Sequence, residues 1–315
     1  MAALRIIFCG TPEFAVPSLR RLAERPEFFV EAVITQPDRP RGRGGHVSSS
    51  PIKETALDLG LYVFQPETIK SDSSQDFLKR VAPDAVVIIA YGQIVPASLL
   101  TIPRLGWINV HGSLLPRYRG AAPIHWAIAN GEKLSGLTTM QIDAGMDTGP
   151  TLLRREIDIG ADETSPELAA RMSTMGADLV AETLVRFDRG EISPVPQKEK
   201  EVSYAPILKK EDGRIDWTQT AQQIYNRMRA FTPWPGSYST FREQTCHVWG
   251  RPVTTEIMNT PAAPGQIIPH GKEIQAVCGA ETCLQLESIQ IEGRKKISAR
   301  EFANGTRITP SDRFA

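Results

Sequence analysis

The sequence predicts an α/β domain built on a mostly parallel sheet, followed by a small β-barrel or β-sandwich domain. Three observations carry this reading. Short β-branched apolar runs alternate with amphipathic segments through the first half of the chain, the pattern dissolves between Gly190 and Lys200, and short alternating segments separated by turns replace it afterwards. A length of 315 residues accommodates two domains at roughly 150 residues each. With 41% hydrophobic and 23% charged residues, the composition argues against wholesale disorder.

Leu4 to Cys9 is an apolar run closed by Gly10-Thr11-Pro12, and a segment with Leu19 and Leu22 follows, so a buried strand passes into a helix. Phe28 to Thr35 repeats the strand signal, Ser50 to Leu59 the helix, Leu61 to Phe64 a strand and Asp84 to Ala90 another, apolar throughout after Asp84. Strands that alternate with helices imply parallel pairing with both faces covered. Trp107 to Val110 is a further strand, and Ile124 to Asn130 a helix ended by Gly131. Thr138 to Ile142 and Thr151 to Ile157 flank the Gly-rich turn from Ala144 to Gly149. After Thr164, the spacing of Leu168, Met172, Met175 and Leu179 predicts a long helix whose stripe is core packing. Gly190 to Lys200 reads as exposed, which sets a first domain at 1–189, a linker at 190–207 and a second domain at 208–315. In that second domain His247 to Trp249, Gln266 to Ile268, Ile274 to Cys278 and Cys283 to Ile291 are the expected strands.

Lys plus Arg and Asp plus Glu each total 36, so no global field draws the chain to nucleic acid or anionic membrane. Any polyanion site is therefore local. Residues 1–207 carry 22 Lys/Arg against 25 Asp/Glu and residues 208–315 carry 14 against 11, so the second domain is mildly basic. Cys9, Cys246, Cys278 and Cys283 form neither a CxxC pair nor a zinc-finger spacing, as expected for buried thiols in a reducing compartment. The N-terminal apolar segment ends too early for a secretory signal, and the run from Ala85 to Ala90 is far below the ~20 residues that span a bilayer. A cytoplasmic protein with no membrane segment and no bound metal is the expectation.

Two nucleotide motifs are missing. Gly10 is followed by Thr-Pro-Glu-Phe rather than the glycines that admit a dinucleotide pyrophosphate, and Gly42-Arg43-Gly44-Gly45 lacks the Lys-Ser/Thr of a triphosphate loop. The latter reads as a mobile basic loop. Asn109 and His111 lie two residues apart at the end of a predicted strand, so an amide and an imidazole share one face where open α/β sheets bind ligands. Such an amide can donate to a developing oxyanion and such an imidazole can move a proton, while Asp147 in the Gly-rich turn can orient the ring. The same three residues equally fit a pair that satisfies backbone groups and an ordinary turn former. Spacing alone favours this second reading.

Asn-Val-His-Gly-Ser-Leu-Leu-Pro from Asn109, then Arg-Gly-Ala-Ala-Pro-Ile from Arg119 and Asp-Ala-Gly-Met-Asp-Thr-Gly from Asp143, resemble the signature of folate-dependent formyltransferases. The likeness extends through Ile-Phe-Cys-Gly-Thr-Pro-Glu-Phe at the start, the Thr35–Gly44 loop, Arg-Ile-Asp-Trp from Arg214 and Arg-Ala-Phe-Thr-Pro-Trp-Pro-Gly from Arg229. It covers nearly the whole chain and points to the branch of the family that acts on methionyl-tRNA. The resemblance implies a Rossmann-like first domain and an OB-like barrel in the second. It also implies transfer of a formyl group from 10-formyltetrahydrofolate to the α-amino group of methionyl initiator tRNA, for translation initiation, by a monomer. The alternative it leaves is a sugar-nucleotide N-formyltransferase with the same donor.

Carried over by motif position, the catalytic set is Asn109, His111 and Asp147. The folate site is implied at Ser113, Leu114, Leu115 and Pro116, with Gln93, Ile94, Val95 and Asp143 around the pterin. Phe14 is similar to the family residue beside the methionine side chain. Arg39, Arg41 and Arg43 in the basic loop, with Lys209 and Lys210, are the implied tRNA contacts. Gly45-His46 stands where lysines often follow in the family, so this loop carries less charge, and Lys209 and Lys210 partly compensate.

Overall fold

Alternation places Ile6 and Phe8 on one face of the first strand and Ile7 and Cys9 on the other, and all four are fully buried. A strand sealed on both sides belongs inside a sheet that helices cover. The computed structural model, which describes residues 3–41, 46–253, 263–309 and 311–315, places it there.

Two units make up the chain. The first comprises Met1–Pro123, Leu134–Asp158 and Glu167–Pro206, and the second Ile124–Lys133, Ile159–Pro166 and Ile207–Ala315. The division is not collinear with the sequence. Residues 190–206 join the first unit, where Val195 and Thr151 exchange backbone hydrogen bonds of 2.8 Å.

Along the first unit run β1 (Leu4–Gly10), α1 (Val16–Glu24), β2 (Phe28–Ile34), β3 (Arg39–Arg41), β4 (His46–Ser48), α2 (Pro51–Asp58) and β5 (Val63–Phe64). Next come α3 (Asp72–Val81), β6 (Ala85–Ile89), α4 (Ala97–Leu100) and β7 (Trp107–His111). After α5 (Pro123–Ala129), which falls almost wholly in the second unit, β8 (Leu134–Gln141), β9 (Thr151–Asp158) and α6 (Ser165–Asp188) follow. Among the described residues the sheet order is β5-β2-β1-β6-β7-β8-β9. Pairing is parallel from β5 to β7 and antiparallel for β8 and β9, so the sheet is mostly parallel. Its connections reverse direction between β1 and β6, the position at which such sheets open a crevice. Ile7, Ala32, Ile34, Val86, Ile88 and Trp107 form one core face with Phe77 and Leu78 of α3.

The basic segment expected as a loop is folded at its base. β3 and β4 pair antiparallel with Arg39 opposite Ser48 and Arg41 opposite His46, because backbone pairing satisfies peptide groups that a loop would leave to water. Residues 42–45, and with them Arg43, lie outside the described residues.

In the second unit α7 (Ala221–Ala230) precedes β10 (Tyr238–Phe241), β11 (Gln244–Val253), β12 (Ile267–His270), β13 (Glu273–Val277), β14 (Cys283–Ile291), β15 (Ile297–Ser298) and α8 (Ala299–Thr306). The strands run β10-β11-β14-β13-β12 with antiparallel pairing. The C-terminal residues join the two ends of that order. Thr240 and Ala315 exchange backbone hydrogen bonds of 3.1 and 2.9 Å, while Phe314 N donates to Gly265 O at 2.8 Å and Ile267 N to Asp312 O at 3.1 Å. Both edges are thereby paired, which makes a small barrel of the sheet. Trp217 stacks on Phe314 at 5.1 Å inside it, among Val248, Leu284 and Phe302. Helices α7 and α8 add to the expected all-β pattern; Ala221, Ile224, Tyr225 and Met228 bury one helical face against the barrel. Among the described residues no helix is long and apolar enough to cross a membrane.

Candidate active site

Strand β7 projects Trp107, Asn109 and His111 from one face. Trp107 anchors the buried end of that face, its Nε1 donating to Leu99 O at 2.9 Å. Two residues on, Asn109 is half-buried, and its side chain has no hydrogen-bond partner among the described residues. A half-exposed amide without a partner is a donor available to a ligand. His111 closes the strand at 6% exposure, opposite Thr138 of β8.

The ring of His111 is fixed by two neighbours. Nε2 lies 2.9 Å from Tyr118 O, and a carbonyl only accepts, so Nε2 carries hydrogen. Nδ1 then faces Asp147 Oδ2 at 3.6 Å. That gap is longer than a hydrogen bond, so the neutral ring leaves Nδ1 free to accept a proton beside a carboxylate.

Asp147 stands at the tip of the turn between β8 and β9 with φ 54°, a left-handed conformation that Asp enters more readily than most side chains. Its Oδ2 accepts from Gly120 N at 2.8 Å. Asp143 builds the same turn from inside, Oδ1 accepting from Gly145 N at 3.0 Å and Thr148 Oγ1 at 2.7 Å. Glycine is required at 149, where a Cβ would meet Gln141 O at 1.9 Å. The turn brings Asp147 to His111, two residues that the sequence separates widely.

The segment after β7 is a rigid corner. Ser113 is fully buried, with Oγ donating to Arg117 O at 2.6 Å and its carbonyl accepting from Thr138 Oγ1 at 2.7 Å. Leu115 is also buried, its N–H donating to Thr138 Oγ1 at 3.1 Å, and the Leu115–Pro116 bond is cis. Leu114 packs over Gly136, where a Cβ would come within 2.5 Å of its Cδ2.

Gln93 is fixed by its own partners. Nε2 donates to Gln36 Oε1 at 3.2 Å and Oε1 accepts from Ile69 N at 2.7 Å. Ile94 is 76% exposed, and Val95 is buried in the core. Gln93, Gln36, Tyr91, Thr11 and Arg39 line a cavity of about 660 Å³ beyond the C-terminal ends of β1, β2 and β6, where the sheet order reverses. Phe14 is half-buried, and its carbonyl accepts from Ser173 Oγ at 2.6 Å. Arg39 is exposed, and Arg41 is described by its backbone alone. In the second unit Lys209 and Lys210 are exposed.

Sequence reasoning did not single out Tyr118, Gly120 or Gln36. The first two sit inside the Arg-Tyr-Arg-Gly run, but they act through backbone atoms, which no residue-type pattern announces. Gln36 neighbours the Pro-Asp-Arg-Pro loop and carries no signal of its own.

The formyl transferase family model matches residues 4–184, and that of the formyl transferase C-terminal domain matches residues 207–307. The methionyl-tRNA formyltransferase of Solibacter usitatus is 48% identical over 312 residues, 99% of this chain and 98% of that protein. The methionyl-tRNA formyltransferase of Geobacter metallireducens is 48% identical over 315 residues, 100% of this chain and 99% of that protein. Among solved structures, the N-formyltransferase from Helicobacter canadensis, in complex with folinic acid and dTDP-3-aminofucose, aligns with a TM-score of 0.64 at 17% identity. That alignment covers 90% of this chain and 98% of that one. HypX from Aquifex aeolicus, in complex with tetrahydrofolic acid, aligns with a TM-score of 0.58 at 17% identity over 96% of this chain and 47% of that one. These two share the fold. The matched domains span both units, and the chain belongs to the formyl transferase family.

Proposed function

We propose that the protein transfers a formyl group from 10-formyltetrahydrofolate to the α-amino group of methionyl initiator tRNA. The observation that carries this reading is 48% identity to methionyl-tRNA formyltransferases over almost the full length of both partners. It favours the tRNA substrate over an amino-sugar nucleotide. Residues 1–189 are assigned the chemistry, 208–315 the tRNA, and 190–207 the connection. A cytoplasmic monomer is the proposed working state.

The nucleophile is an esterified α-amine, whose reference pKa of about 7.7–8.0 leaves a usable neutral fraction near neutral pH. As its nitrogen bonds to the formyl carbon, negative charge grows on the formyl oxygen and positive charge on the nitrogen. Asn109 donates its free amide to that oxygen, a role for which a donor placed in advance is most effective. His111, protonated at Nδ1 beside Asp147, stabilises the same charge and relays the surplus proton toward the departing folate nitrogen. The carbon–nitrogen bond to folate then breaks. Ser113, Leu114, Leu115, Pro116, Gln93, Ile94, Val95 and Asp143 are proposed to hold the folate, Phe14 the methionine side chain, and Arg39, Arg41, Arg43, Lys209 and Lys210 the tRNA phosphates.

One assay tests the reading. Purified protein is incubated with 10-formyltetrahydrofolate and either methionyl-tRNA or an amino-sugar nucleotide, and formylated product is measured. Formyl-methionyl-tRNA is expected. Product from the sugar alone overturns the assignment.

A further inference from the structure

Arg119 is 2% exposed, and a buried guanidinium needs a purpose-built set of acceptors. One partner is Gln197, whose Oε1 accepts from Arg119 Nε at 3.0 Å and Nη2 at 2.9 Å. The other is Glu199, an ion-pair partner whose Oε1 lies 3.0 Å from Nη2 and Oε2 3.5 Å from Nη1. Because the amide oxygen is taken by the guanidinium, the amide nitrogen must point the other way. Gln197 Nε2 donates to two backbone carbonyls, Asp147 O and Gly149 O, both at 2.8 Å. Those carbonyls belong to the turn in which Asp147 is held at φ 54°.

The neighbours of Arg119 act on the same groups. Tyr118 O receives His111 Nε2 at 2.9 Å, and Gly120 N donates to Asp147 Oδ2 at 2.8 Å. Three consecutive residues thus touch the ring, the carboxylate and, through Gln197, the backbone of Asp147. The strand-like segment around Ser203 holds the three in place, with Arg119 N donating to Ser203 O at 2.8 Å and Ala205 N to Arg119 O at 2.7 Å.

We propose that Gln197 and Arg119 are positioning residues that set the 3.6 Å separation of Asp147 from His111, so that the segment proposed as a linker forms part of the active site. The inference rests on the formyl-transfer reading of His111 and Asp147. A non-glycine residue in a left-handed turn relaxes unless its surroundings over-determine it. Releasing two carbonyls of that turn therefore lets the carboxylate move.

Gln197→Glu separates positioning from mere anchoring of Arg119. The carboxylate pairs with the guanidinium at least as well, but it turns an oxygen toward the two carbonyls that the amide nitrogen now serves. Expected is a kcat lower by roughly 10- to 100-fold, the scale set by displacing a catalytic group by about 1 Å, with KM for folate and for methionyl-tRNA unchanged and native circular dichroism. In single-turnover assays on an Asp147→Ala background, Gln197→Ala is expected to cost nothing further, since residues acting through one group are non-additive. Wild-type kcat in Gln197→Glu, a full additional loss on the Asp147→Ala background, or a Gln197→Glu protein that does not fold overturns the proposal. If Asp147→Ala itself keeps wild-type turnover, the reading of the site fails instead.

Discussion

His111 Nδ1 and Asp147 Oδ2 stand 3.6 Å apart, just beyond hydrogen-bond reach, with Nε2 already committed to Tyr118 O. The arrangement leaves Nδ1, and not Nε2, facing the carboxylate. It also separates the roles of the neighbouring side chains on β7, since Asn109 carries no such commitment among the described residues.

His111→Ala and Asn109→Ala are each expected to keep the fold and lose turnover. A lost oxyanion donor costs on the order of 10² to 10³ in rate, and a lost proton-transfer group on the order of 10² to 10⁴. Steady-state kinetics on variants with native circular dichroism measures both. Near wild-type turnover in either removes that residue from the catalytic set.

The arginines of the basic segment are expected to serve tRNA and leave folate alone. Arg39→Ala and Arg43→Ala should each weaken tRNA binding and flatten its logarithmic salt dependence by roughly one unit or slightly less per duplex phosphate contact. Binding across a salt series gives the slope. A weaker folate affinity with unchanged tRNA binding would move the segment to the cofactor side; Arg39, which lines the cavity beside Gln93, is the more exposed to that outcome.

Barrel closure should depend on acid. Arg242 grips Asp312 through Nε to Oδ1 and Nη2 to Oδ2, both 2.8 Å, and Thr309 N donates to Oδ2 at 2.7 Å. The Arg242 hydrogen bonds foremost hold the Asp312 carboxyl well below the usual carboxylate range. Its folded value thus lies under the unfolded reference of about 3.9, so the native state binds fewer protons. The stabilisation is complete above that reference and disappears as pH falls through the folded value. Asp312→Asn is expected to lower the urea midpoint at neutral pH, with the difference from wild type shrinking in acid. A difference that stays constant with pH would show that the charge is irrelevant.

All four cysteines are buried and free. Burial raises the Cys9 and Cys283 thiols, and pushes Cys246 up to about 11 and Cys278 up to about 12. Since the thiolate is the reactive form, the native protein is expected to resist a thiol reagent at mildly alkaline pH, and the denatured protein to release all four groups. Rapid modification of any cysteine in the native state contradicts this.

Much of the first sheet is legible because β1, β2, β6 and β7 are buried runs whose residue types repeat along the chain. Strands β10 and β15 and helices α3, α7 and α8 are harder to read. They are short, and their apolar faces become continuous only when packed, as Phe77 and Leu78 of α3 are against Val86 and Trp107. The basic segment at 39–48 carries no alternation that announces a hairpin, and its pairing is decided by backbone groups.

By itself the sequence determined the alternation of strands and helices, the change of period after the first domain, and the placement of Asn109 and His111 on one face of a strand. Those are properties of neighbours in the chain, fixed by the two-residue repeat of a strand. Only the tertiary structure decided that Asp147 meets His111 and that Gln197, in a stretch without pattern, holds two carbonyls of the Asp147 turn. It also decided that residues 312–315 close the barrel. Each of these contacts joins segments distant in the chain through backbone atoms or polar side chains. Such partners are selected by packing and hydrogen-bond satisfaction in three dimensions, which no local period encodes.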